Sequence, residues 1–122
     1  MGVWMIGVGS ISIKPQVDDK LIKEYIEFSK SCFPKKYGEE KFFNTWFFDE
    51  DNKLSSIEGK FAEASIWYDH IKENFFEARG YELEGEMTII GEGEPGFEEA
   101  CEESEEKYRL WKRRIAAMQT MS

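Results

Sequence analysis

Histidine occurs once in this 122-residue chain, cysteine twice and proline three times, and each scarcity removes a class of function. With His70 as the lone histidine, a metal site with two or more His ligands is excluded, and any zinc site would have to draw on scattered Cys32, Cys101 or carboxylates. The two cysteines form no C-x-x-C pair, and with no secretory signal before them they read as free cytosolic thiols. Long apolar runs are missing too. Val3 to Val8 is six residues with no basic region ahead of it, far short of the roughly 20 residues a membrane-spanning helix needs. Met1-Gly2 is not followed by the Ser or Thr that myristoylation wants, because Ile6 stands there. The expectation is a soluble, cytoplasmic protein.

Basic residues are the next shortage. Sixteen Lys and Arg stand against 25 Asp and Glu, a net charge of −9, which disfavours nucleic acid or anionic membrane as a direct partner and favours a basic protein. No Gly/Ser/Pro-rich linker, internal repeat or break in composition divides the chain, so residues 1–122 are expected as a single domain. Hydrophobic residues make up 41% and Phe, Trp and Tyr 16%, which is enough to build a core and argues against disorder.

Periodicity supplies the elements. Val3 to Ile13, rich in Val and Ile and closed by Lys14-Pro15, reads as a strand with Gly7 and Gly9 on one face. Val17, Leu21, Tyr25, Phe28 and Cys32 fall at helical spacing, and that helix ends before Pro34. Phe42 to Phe48 and Leu54 to Ile57 flank the polar turn Asp49-Glu50-Asp51-Asn52 and read as a hairpin. Phe61, Ala64, Tyr68, Ile71, Phe75 and Ala78 form a second helical stripe, with Gly80 where a C-cap glycine belongs. Tyr81 to Ile90 then alternates apolar residues with Glu82, Glu84 and Glu86 as a half-exposed strand.

The order is β-α-β-β-α-β, so the expected fold class is α+β: a ferredoxin-like antiparallel sheet with two helices over residues 1–91. A C-terminal amphipathic helix follows over 96–119, with Phe97, Cys101, Ser104, Tyr108, Trp111, Ile115 and Met118 on one face. Its stripe is expected to pack on its own domain. Tyr108, Trp111, Ile115 and Met118 are the alternative contact of a structural or regulatory homodimer.

With Trp4 in its first strand, this element order and small size resemble the ferredoxin-like domains of phage and plasmid proteins, the YubB-like group. The resemblance covers about residues 1–91 and carries no catalytic residues. It implies a mobile-element setting, where small proteins act by binding and blocking a host protein, as anti-CRISPR proteins do.

Motifs for chemistry fail on inspection. Gly91-Glu92-Gly93-Glu94-Pro95-Gly96 matches G-x-G-x-x-G, but Glu92 and Glu94 would repel a pyrophosphate and Pro95 lacks a backbone donor. Asp49 to Asn52 fails as a calcium loop, since Lys53, Leu54 and Lys60 occupy its fifth, sixth and twelfth positions. No metal or cofactor is expected. An enzyme pairing Cys32 or Cys101 with His70 is the least favoured reading, because no local signature surrounds either cysteine and His70 lies off the helical stripe, as a surface residue would. A non-catalytic protein is expected.

The informative feature is segregation of charge. Residues 1–76 carry a net −3, 77–106 a net −11 with Arg79 as their one base, and 107–122 a net +5. Acids at a helix start and Lys107, Arg109, Lys112, Arg113 and Arg114 near its end complement the helix dipole. The dipole does not account for Glu98 with Glu102, Glu99 with Glu103 and Glu102 with Glu106, like-charge pairs at i,i+4 that each cost a few tenths of a kcal/mol. Helix acids from Glu98 to Glu106 come at roughly one per 2.2 Å of axis, against about one per 1.7 Å in duplex DNA. The expectation is an acidic binding or inhibitor protein that mimics nucleic acid, the alternative being a structural or regulatory homodimer whose acidic face is merely solvated and solubilising. The binding surface comprises Glu82, Glu84, Glu86, Glu98, Glu99, Glu102, Glu103, Glu105 and Glu106, and it engages a basic partner such as a nuclease.

Overall fold

The computed structural model describes residues 4–31, 34 and 44–120. Cys32 and the Phe42–Phe43 start of the expected hairpin lie outside them. The fold is mixed α+β, with three α-helices and small antiparallel sheets among the described residues.

The first expected strand is bent into β1 (Trp4–Val8) and β2 (Ser12–Lys14), and the last into β6 (Glu82–Glu84) and β7 (Thr88–Gly91). β1 pairs with β7, and β2 with β6, in one continuous frame: Val8 faces Thr88, Ser12 faces Glu84, and three residues intervene on each side. Gly9 (φ 113°) and Gly85 (φ 130°) sit at the bend in backbone conformations that a side chain would strain. Within β1, Gly7 leaves room for the Met87 methyl, which would lie 2.9 Å from a Cβ there.

The hairpin is β3 (Trp46–Phe48) and β4 (Leu54–Ser56), and its chain runs on into β5 (Gly59–Lys60), a segment beyond the expected end at Ile57. β5 pairs with β1 on the side opposite β7, and Ile11 bridges Leu54. At the hairpin turn, the buried Asp49 carboxylate accepts from the Asp51 and Lys53 amides and the Ser55 hydroxyl, while Asn52 turns the chain at φ 59°.

Helix α1 (Asp19–Ser31) is capped by Asp18, whose Oδ1 accepts from the Leu21 amide at 2.9 Å, and it buries Leu21, Ile22, Tyr25 and Ile26. Helix α2 (Phe61–Ile71) departs from the expected stripe. It continues through a wide π turn at Lys72–Phe76 and a tight 3₁₀ turn at Glu77–Arg79 before Gly80 closes it in the left-handed conformation. The wide turn brings adjacent Phe75 and Phe76 both into the core, and Ile66 and Trp67 are buried, whereas Tyr68 is half-buried and Ala78 exposed.

Tyr25 centres the core. Phe48, Phe75, Phe76 and Trp111 all lie within 6.5 Å of its ring, and its hydroxyl donates to the Trp46 carbonyl. Burial raises its pKa. Trp46 packs on Tyr68 of α2, Phe48 on Tyr25, Phe76 and Trp111, and Phe47 on Tyr108, the last with Trp111 belonging to α3 (Phe97–Thr120). The aromatic hairpin is core: Phe47 and Phe48 are buried. Among the described residues no helix is long and apolar enough to cross a membrane.

Candidate functional site

Helix α3 decides what is presented outward. Its stripe packs inward as expected on its own chain: Cys101, Ser104 and Trp111 are buried, and Tyr108, Ile115 and Met118 lie partly buried against the core. The residues considered as a contact between copies are thus engaged within the fold. Ser104 Oγ donates to the Ser56 carbonyl at 2.9 Å, and Arg114 reaches both Asn52 (2.8 Å) and Asp19 (3.6 Å), which fixes the helix along its length.

With that face turned in, the acids point out. Glu82, Glu84, Glu86, Glu98, Glu99, Glu102, Glu103, Glu105 and Glu106 are all exposed. Glu82 and Glu84 stand on β6 beside Lys14, whose ammonium is 2.7 Å from Glu84 and whose pKa that partner raises. Glu106 pairs with Arg109.

The first turns of α3 instead face a different set. An open groove of about 840 Å³ is lined by Trp4, Glu58, Glu92, Glu94, Glu98 and Glu99 together with the Gly93, Pro95, Gly96 and Phe97 backbone corner. The G-x-G-x-x-G segment forms this corner as a hydrogen-bonded turn: the Glu92 amide donates to the Trp4 carbonyl, the Glu94 amide to Gly91, and Gly93 and Gly96 both take φ 88°. Glu58, Glu92, Glu94 and Trp4 were not among the residues expected at the site. The composition of residues 77–106 flags Glu92 and Glu94, but nothing local connects Trp4 or Glu58 to them.

The sulfur and imidazole groups have different partners. The Cys101 thiol donates to Glu58 Oε2 at 3.1 Å, and burial followed by that carboxylate pushes its pKa up to about 12, the reverse of an activated thiolate. His70 is half-buried rather than on the open surface, stacked on Phe28 of α1 at 5.0 Å and edge-on to Trp67. No group of three or more His, Cys, Asp or Glu able to hold a metal occurs among the described residues. A smaller apolar cavity, about 270 Å³, lies between the sheet and α2, with Tyr68, Met87 and the exposed Ile89 in its wall.

No protein-family model matches this chain, and no curated protein or solved structure matches it.

Proposed function

We propose that this is a non-catalytic acidic binding protein of inhibitor type, which engages a basic nucleic-acid-handling protein through the outer face of α3. One observation carries the reading. The helix turns its apolar stripe toward its own core, burying Cys101, Ser104 and Trp111 and partly burying Tyr108, Ile115 and Met118, so Glu98, Glu99, Glu102, Glu103, Glu105 and Glu106 stand in solvent at a spacing near that of duplex phosphates. Like-charge i,i+4 pairs destabilise the helix slightly, and a basic partner would offset that cost.

The proposed scaffold is a ferredoxin-like sheet. The strand containing β1 and β2 is flanked by the β6–β7 strand on one side and by β4–β5 on the other, with β3 outermost, and every neighbouring pair is antiparallel. That arrangement supports the reading, and α3 is the addition that carries the charge.

The test is a salt series with a purified, basic nuclease domain and the triple variant Glu99→Lys, Glu102→Lys, Glu103→Lys. Binding by the parent chain that falls as salt rises and vanishes in the triple variant, with an unchanged circular dichroism spectrum, is the expected result. Binding that survives the triple reversal overturns the proposal.

A further inference from the structure

The fold leaves one tryptophan outside. Trp67 and Trp111 are buried and Trp46 is half-buried, yet Trp4, one of the residues lining the groove beside α3, keeps 44% of its surface exposed. A large aromatic left in solvent within a groove is the side chain type that anchors protein interfaces. Around it stand Glu58, Glu92, Glu94, Glu98 and Glu99, and none of these five is in an ion pair among the described residues. The nearest base by register is Lys60 of β5, the direct ladder partner of Trp4, which is exposed and is not among the described residues lining the groove.

Indole face and carboxylates reinforce each other for one kind of guest. The ring's negative face attracts a cation laid over it, and carboxylates at the rim accept its hydrogen bonds. A planar guanidinium meets both demands, since it stacks on an aromatic and presents a fork of donors, whereas an ammonium is a compact and strongly hydrated charge. The groove's volume lies within the range of ordinary ligand sites, so an arginine enters with its flanking backbone.

We propose that the Trp4 groove takes an arginine side chain from an exposed segment of the basic partner, with the guanidinium on the indole and the surrounding carboxylates as its acceptors. This rests on the acidic-face reading and deepens it. The helix acids supply attraction at a distance, and Trp4 supplies the preference for arginine over lysine.

The experiment titrates capped hexa-arginine and hexa-lysine peptides into the full chain at moderate salt, following indole N–H resonances and calorimetric affinity. The expected result is a shift of the Trp4 indole signal and tighter binding of the arginine peptide. The variant Trp4→Leu is expected to lose about tenfold in arginine affinity and most of the preference over lysine. Glu92→Gln with Glu94→Gln weakens both peptides and serves should the tryptophan variant fail to fold. Arginine binding that leaves the Trp4 signal unmoved, or is equal in Trp4→Leu, overturns the groove proposal. The acidic-face reading then stands if the Glu99, Glu102 and Glu103 reversal still weakens both peptides. Absence of binding by either peptide to the parent chain overturns both.

Discussion

The two halves of α3 are held in opposite ways. Its C-terminal half meets the core through Trp111, which touches Phe48 and Tyr25, and its midpoint through Tyr108 on Phe47. Its N-terminal half meets the sheet through small or polar groups, Ser104 on the Ser56 carbonyl and Cys101 on Glu58. Apolar burial of a large ring secures the helix at one end and leaves the other end to carry dense charge at little cost to the fold. Position on the helix, more than helix formation itself, separates stability from recognition.

The sharpest way to break that comparison is Trp111→Ala. Removing a buried indole from the aromatic core is expected to cost about 3–5 kcal/mol in denaturant unfolding. A loss no larger than that of a polar-end variant would remove the distinction between the halves.

Alkaline pH probes the polar end. The Cys101 thiol is held neutral in the fold, its pKa raised by burial from 9.0 to about 12, so the unfolded chain ionises first. The contribution is fully present below about pH 9 and is lost as pH rises toward the folded value. Unfolding free energy is expected to fall above pH 9, and Cys101→Ala is expected to flatten part of that slope, the remainder including buried Tyr25, whose pKa is also raised. An identical slope in Cys101→Ala would show that the thiol ionises as freely folded as unfolded.

Ser104→Ala is smaller. It deletes one hydrogen bond to a β4 carbonyl, with an expected cost of about 1 kcal/mol in the same unfolding assay. The smallest effect belongs to Glu99→Lys, Glu102→Lys and Glu103→Lys, three exposed positions where each change is expected to stay within about 0.5 kcal/mol. Glu102→Lys turns the Glu98–Glu102 and Glu102–Glu106 repulsions into attractions, which gives that change a sign toward greater stability. A large destabilisation there would mean that the acids serve the fold.

Much of this was legible in the sequence where one periodicity dominated. The α3 stripe from Phe97 to Met118 reads directly, because charged residues fill every other face. In α2 the adjacent Ile66, Trp67 and Tyr68 are all large and apolar, so spacing alone did not choose between them, and the π turn that brings in Phe76 has no signature of its own. The bends at Gly9 and Gly85 were hidden because alternation continues through them. At the candidate site, the helix glutamates were legible as a run. The groove was not, since Trp4, Glu58 and Glu92 come together only through the pairing of β1 with β5 and β7.

The register between β1 and β7 has a consequence in time. Ile6 pairs with Ile90, so the strand at the centre of the three-stranded β5–β1–β7 sheet waits for a partner made 84 residues later. During synthesis the hairpin and both earlier helices are out before that strand gains its second neighbour, and contacts of such sequence separation set the pace of folding. Until then, one edge of β1 is open to pairing with another chain, which makes the interval before β7 emerges the period of greatest exposure to misassembly.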